Sequence, residues 1–297
     1  MVGVLCVGFA ALDHVFGLNT MPQRAEKHVA HRFAAVGGGN AANAAVAIAR
    51  LGGHAMLATR IGDDDIGTAI LAGLTRDGVD VSLARRLKNH SSAISAILVD
   101  EAGERMVINY ADQSMPNEVG DFPALIASDI RAVMADTRWE PAATAALTSI
   151  VAQGGAGVVD IDRPPRSPAL LYAASHIVAS AQALRTMTGI DDLSSALQAF
   201  RKTVPGWIAV TDSERGTFYW EDDHVRHSPA FPVTAVDTLG AGDVFHGAFA
   251  LGLAEGMDER TAIRFASAAA AIKCTRFGGR DGAPFRSEVD QFLMSAS

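Results

Sequence analysis

The sequence predicts a doubly wound α/β fold, a mostly parallel sheet flanked by helices, with a small β lid. Three observations carry that expectation. Short, nearly continuous apolar runs recur along the chain, as strands buried on both faces of a parallel sheet require. Stretches with helical periodicity separate them, the alternation from which parallel sheets are built. Residues 14–34 break this pattern: they alternate weakly, contain Pro22, Lys27 and His28, and do not read as a core helix. The 297 residues are 49% hydrophobic, enough to bury a sizeable core. With no repeat, low-complexity tract or linker, the chain reads as one domain over residues 1–297.

Taken in order, residues 2–7 form the first core strand and Gly8 ends it. Asp13 lies just beyond. In open α/β sheets ligands bind outside the carboxyl ends of the strands, where an aspartate can accept hydrogen bonds from substrate hydroxyls; an ordinary turn residue is the plainer reading. Residues 14–34 are expected as exposed strands forming a flap over the site. Gly37, Gly38 and Gly39 allow a ligand to approach the backbone closely. The alanine-rich helix after them ends at Arg50-Leu51-Gly52, with Gly52 as terminator. Asn40 and Asn43 sit one turn apart and can face one pocket, although Asn40 also suits an N-cap.

Residues 56–61 read as the next strand. Gly62-Asp63-Asp64-Asp65-Ile66-Gly67 opens a helix over 68–76, and the three aspartates read as a dipole-favoured helix start rather than a metal site. Strands at 93–99 and 106–110 flank the turn Asp100-Glu101-Ala102-Gly103 as a hairpin. This hairpin is expected to pair with the flap, so that the lid comes from about 14–34 and 93–110. Residues 132–135 form a strand ending at Asp136-Thr137-Arg138-Trp139, placing Arg138 past a carboxyl end. Strands follow at 157–160, 176–179 and 207–211. The turn Thr211-Asp212-Ser213-Glu214-Arg215-Gly216 precedes a second hairpin, 217–220 and 224–227. Helices over 259–273 and 286–294 enclose a glycine-rich loop.

The chemistry concentrates in Asp237-Thr238-Leu239-Gly240-Ala241-Gly242-Asp243, which feeds an apolar helix. The first N–H groups of a helix lack internal partners and carry partial positive charge, so such a start holds an anion, typically a phosphate. A carboxylate there, Asp243, makes sense as the base that takes a proton from a nucleophile attacking that phosphate. A helix-capping aspartate is the competing reading.

Several classes are disfavoured. A net charge of −8 argues against nucleic-acid partners. No apolar run approaches the roughly 20 residues of a membrane span. The N-terminus reads as a core strand, not a signal peptide. Cys6 and Cys274 make neither a disulfide framework nor a zinc site. A cytoplasmic location is expected.

Two stretches together resemble the signatures of the PfkB (ribokinase-like) carbohydrate kinases. Gly38-Gly39-Asn40-Ala41-Ala42-Asn43, with its helix ending Arg50-Leu51-Gly52, is similar to the first; Asp237 to Asp243 is similar to the second. Gly62-Asp63-Asp64-Asp65-Ile66-Gly67 fits the family's G-x-D-x-x-G stretch. The matches keep family order and spacing over essentially the whole chain. The resemblance implies a ribokinase-like fold and phosphoryl transfer from ATP, with Mg2+, to a sugar hydroxyl. It implies Asp243 as base, the N–H groups of Gly240, Ala241 and Gly242 as anion hole, and Asp13, Gly38, Gly39, Asn40 and Asn43 around the sugar. Thr211, Ser213 and Gly216 fall at the nucleotide turn. A monovalent cation, K+, would lie near Asp237, Arg276 and Gly278, held largely by backbone carbonyls. One departure is the stretch Ser180-Ala181-Gln182-Ala183, where the family often has N-x-x-E, a sequence that acts on magnesium.

The segments Ile108-Asn109-Tyr110, Ala135-Asp136-Thr137-Arg138-Trp139, Pro229-Ala230-Phe231 and Lys273-Cys274-Thr275-Arg276 resemble those of sulfofructose kinases. There the lysine, asparagine and arginine matching Lys27, Asn109 and Arg138 grip a sulfonate. That likeness implies phosphorylation of 6-deoxy-6-sulfofructose at its 1-hydroxyl, in sulfoquinovose breakdown. Fructose, fructose 6-phosphate and 2-keto-3-deoxygluconate are the rival substrates, and a sugar sensor without turnover is the rival class. Exposed flap strands also suit a homodimer formed through the lid.

Overall fold

The computed structural model describes residues 1–102, 104–119 and 129–296; Gly103 of the expected hairpin turn lies outside them. The chain starts in an interior strand of its main sheet. Strand β1 (Gly3–Gly8) is buried along its whole length and pairs in parallel with β4 (His54–Gly62) on one side and β8 (Ile130–Ala135) on the other. Beyond β8 follow β9 (Ala156–Ile161), β10 (His176–Ser180) and β11 (Trp207–Thr211), each parallel to its neighbour. The short β5 (Arg85–Leu87) adds in parallel to β4. An antiparallel pair, β12 (Thr217–Glu221) and β13 (His224–Ser228), closes the far edge of this nine-stranded sheet.

Alternate side chains of β1 enter opposite layers. Val4 and Cys6 belong to the layer that holds α1 (Asn40–Arg50), α7 (Ala241–Ala254) and α8 (Glu259–Cys274); Leu5 and Val7 belong to the layer that holds α3 (Glu140–Ala152), α5 (Ala181–Thr188) and α6 (Leu193–Arg201). The first layer also takes α2 (Asp65–Arg76) and α9 (Arg286–Ser295), the second α4 (Ala169–Ala173). This is the doubly wound fold expected. Asp64 caps α2 by accepting from the Gly67 N–H at 2.7 Å and also holds Ser92, so that aspartate run does start a helix. Among the described residues, no helix is long and apolar enough to cross a membrane.

A second sheet of four strands stands apart in the order β3-β2-β6-β7. Strand β2 (Ala11–Leu18) continues from β1 after two residues, pairs antiparallel with β3 (Arg32–Gly38) and parallel with β6 (Ala93–Asp100). Strand β7 (Arg105–Tyr110) forms its exposed edge. The strands of the first segment therefore lie nearer its ends than expected: residues 19–31 contain none. Pro22 and the charged Arg24, Glu26 and Lys27 give that stretch neither ladder donors throughout nor an apolar face.

Helices α1 and α7 meet at unusually close range because small residues face each other. A Cβ built on Gly247 would lie 2.5 Å from the Ala44 carbonyl oxygen and 3.0 Å from its Cα. Backbone cannot yield as a side-chain tip can, so Gly247→Ala is expected to destabilise the fold by about 1–3 kcal/mol, the scale of core overpacking. Urea denaturation measures this, and an unchanged midpoint would mean the helices separate without cost.

Candidate active site

The N-termini of α1 and α7 converge at the carboxyl ends of β1, β8 and β9. Gly240 is the N-cap of α7, in the left-handed region at φ 76°; a residue with a Cβ avoids that conformation. Gly240 therefore fills the capping position, and Asp243 stands in the first turn with its side chain free for other work. The N–H groups of Gly240 and Gly242 meet no acceptor among the described residues, whereas the Ala241 N–H donates to the Thr238 carbonyl at 3.2 Å. A Cβ on Gly242 would touch nothing within 4 Å, so the space before the helix start is open.

Asn43, from α1, donates its Nδ2–H to Asp243 Oδ2 at 2.7 Å. Its Oδ1 is buried with no partner. Burial first, and then the Asp160 carboxylate, push Asp243 well above the usual carboxylate range. Asp160 is itself pushed up to about 8, by burial and then by Asp162. Asn40 bridges these two acids, donating to Asp160 at 3.1 Å and Asp162 at 3.4 Å. It is the first helical residue rather than the N-cap, which is Gly39. His246 places Nδ1 2.6 Å from the Gly242 carbonyl and Nε2 3.5 Å from Asp160. Burial lowers its pKa, and a proton on Nδ1 satisfies the carbonyl.

Asp13 lies buried at the start of the small sheet and hydrogen-bonds Ser95, and burial raises its pKa. Ser95 Oγ in turn accepts from Asn109 Nδ2 at 3.1 Å. A Cβ on Gly38 would fall 2.1 Å from Asp13 Oδ2; one on Gly39, where φ is 95°, would fall 2.4 Å from the Phe9 carbonyl. Asn109 and Arg138 line one cavity of ≈ 140 Å³ together with Arg60, Arg163 and Arg166. Arg138 is held in a fork by Asp162, at 2.7 and 2.5 Å. The Arg166 guanidinium is in no ion pair among the described residues. Lys27 is not brought to this cavity: it is exposed in the strandless stretch 19–31.

Thr211 ends β11, and the turn after it holds Ser213 at φ 47° and Gly216 at φ 87°. A Cβ on Gly216 would sit 2.2 Å from the Ser228 carbonyl, so glycine is required where β12 and β13 pack over the turn. Ser180, from the departing stretch, caps α5 by accepting from the Ala183 N–H. The described residues contain no group of three His, Cys, Asp or Glu able to hold a metal ion.

At the expected monovalent-cation position, Arg276 turns away to Glu288 at 2.5 Å. The N–H groups of Gly278 and Gly279 donate to Asp237 Oδ2, each at 3.0 Å.

Sequence reasoning missed several residues. Asp136 collects the N–H groups of Phe9, Ala41 and Arg138 on one buried carboxylate, tying β1 to α1. Asp160 and Asp162 stand at the end of β9, where the position past a strand end was the available signal. His246, Arg163 and Arg166 carried none, because helical periodicity and a proline-rich loop mask them.

The pfkB family carbohydrate kinase model matches residues 3–286. This chain belongs to the PfkB family of carbohydrate kinases. The ribokinase of Bacillus subtilis is 28% identical over 303 residues, covering 99% of this chain and all of that one. The fructokinase of Klebsiella pneumoniae is 28% identical over 281 residues, 86% of this chain and 91% of that one. The crystal structure of a candidate ribokinase from Agrobacterium tumefaciens superposes with a TM-score of 0.94 at 38% identity, over 99% of this chain and 98% of that one. The protein is thus a ribokinase-type carbohydrate kinase.

Proposed function

We propose that this PfkB kinase transfers the γ-phosphoryl group of ATP to a sugar hydroxyl, with Asp243 as the base. The observation that carries the reading is a raised-pKa carboxylate beside the open N–H groups of Gly240 and Gly242. The hydroxyl oxygen attacks the γ-phosphorus as its proton passes to Asp243 and the bond to the ADP oxygen breaks. The free N–H groups take up charge on the transferring phosphoryl oxygens. Asn43 holds Asp243 through Nδ2 and offers its orphaned Oδ1 to a substrate hydroxyl. Asp13, Gly38 and Gly39 bind the sugar, the four-stranded sheet acts as a lid, and Thr211, Ser213 and Gly216 receive the nucleotide. Magnesium, when bound with ATP, offsets phosphate charge.

The substrate we favour is 6-deoxy-6-sulfofructose, phosphorylated at its 1-hydroxyl. Its support is the arginine-lined cavity, in which Arg163 and Arg166 supplement Asn109 and Arg138 where Lys27 does not reach. A neutral sugar, ribose or fructose, is the second reading; the fork from Asp162 favours it by occupying Arg138, and relatives carry those names. ATP consumption with 6-deoxy-6-sulfofructose, ribose, fructose, fructose 6-phosphate and 2-keto-3-deoxygluconate tests both. The sulfosugar is expected to give the highest kcat/KM. Arg166→Ala is expected to raise its KM about 10-fold, the scale of one charged hydrogen bond, and to leave KM for fructose unchanged. Preference for ribose or fructose would remove the anion clamp, and absence of any turnover would favour a sensor.

A homodimer through the lid is part of the same proposal. Met106, Val107, Ile108 and Tyr110 are exposed on the edge strand β7, and an open apolar edge invites pairing. Sedimentation velocity is expected to show two copies, and a monomer at assay concentration would refute it.

A further inference from the structure

The fold family brings with it the expectation of a monovalent metal ion beside the anion-hole loop, and the residues present do not fit one. Lys273, in the last turn of α8, has no exposed surface. Its Nζ donates to the Asp237 carbonyl at 2.6 Å and lies 3.4 Å from Asp237 Oδ2. The rest of that carboxylate is already engaged: Oδ1 accepts from the Leu239 N–H at 2.8 Å, and Oδ2 accepts from the N–H groups of Gly278 and Gly279. An ionised carboxylate offers about four acceptor positions; three backbone N–H donors occupy three of them, and the Lys273 ammonium faces Oδ2 as an ion pair. The carbonyl of the same residue is taken by the ammonium. A potassium ion here would lose these oxygens and sit against a buried like charge, which is costly where water cannot screen it.

We infer that the Lys273 ammonium is this kinase's built-in cation, holding residues 237–240 in the shape that opens the Gly240 and Gly242 N–H groups, so that turnover needs no potassium. Lys273 touches neither sugar nor phosphate in this account; it is a positioning residue, acting through Asp237. Asp237 gathers the loop at both ends, from Leu239 just before the anion hole to Gly278 and Gly279 behind it. Without a cation its carbonyl and carboxylate would repel each other across the turn. Lys273 supplies that cation covalently, and its own burial is compensated by the two Asp237 oxygens.

The inference rests on the kinase reading, and the experiment separates the two. Turnover of the full chain is measured with saturating magnesium and ATP in chloride salts of potassium, sodium and tetramethylammonium at one ionic strength. Melting midpoints are recorded in the same three salts. Equal kcat and equal midpoints are expected. A potassium-specific rise in either would overturn the inference. Turnover absent from every salt would sink the kinase reading alone, and the midpoints would still decide on Lys273.

The second arm is Lys273→Ala. Its kcat in tetramethylammonium is expected to fall about 10-fold or more, the scale of a charged hydrogen bond, and to recover partly when ammonium or potassium is supplied. Full activity in tetramethylammonium would overturn the positioning role. If the variant does not fold, the salt series on the unaltered kinase remains decisive.

Discussion

Asp243→Asn is expected to lower kcat at least ~100-fold, since removing a general base has that scale, while sugar affinity changes little. The substitution keeps the shape of the side chain and leaves an oxygen for the Asn43 Nδ2–H that Asp243 now accepts at 2.7 Å. Only proton acceptance is lost. The pH profile adds a second readout. Burial and Asp160 raise the pKa of Asp243, so the carboxylate is the working form and its share falls as the pH drops through that raised value. The acid limb of kcat/KM is therefore expected above the usual carboxylate range, and Asp243→Asn is expected to abolish it along with the rate. A variant retaining more than about a tenth of kcat would show that some other group accepts the proton, because general-base effects are at least tenfold larger.

Gly38→Ala is expected to act on the other half of the site. Its Cβ would stand 2.1 Å from Oδ2 and 2.5 Å from Oδ1 of Asp13. A carboxylate can swing aside, so the fold survives, but Asp13 then leaves the position from which we propose it meets sugar hydroxyls. Loss of charged hydrogen bonds costs about 1.5–3 kcal/mol, so KM for the sugar is expected to rise about 10- to 100-fold with a smaller change in kcat. Gly39→Ala is the contrasting case. Its Cβ meets the Phe9 carbonyl at 2.4 Å, and φ is 95°, so the backbone itself must move and the protein loses stability instead. Steady-state kinetics and thermal melting of the pair separate the outcomes. An unchanged KM in Gly38→Ala would take Asp13 out of the sugar site.

What could be read in advance followed local chemistry. The apolar runs that became β1, β8 and β10 and the glycine start of α7 are local signals, and they placed Asp243 beside the open N–H groups. The strandless stretch at 19–31 was misjudged because weak alternation at its two ends was extended across Pro22. Lys27, which the resemblance grouped with Asn109 and Arg138, lies in that stretch and does not line their cavity. Asn40 looked like an N-cap by residue type, yet the two acids at the end of β9 claim its amide, and only tertiary pairing brings them together. Lys273 was the hardest to read. A lysine in the last turn of a helix is ordinarily a solvated partner of the dipole, and nothing local tells that this one is enclosed.

The placement of β1 also bears on how the chain reaches its native state. The first strand made is an interior one, third from the β5 edge of the sheet, and it stays half-paired until the residues of β8 have been synthesised. The hydrogen bond between Asn43 and Asp243 closes over a separation of 200 residues. Such distant pairings pay loop-closure entropy before contacts repay it and slow folding. Asp243, the proposed base, and the residue that steadies it therefore come together late, and a nascent chain stopped before α7 would carry a first glycine signature without Asp243.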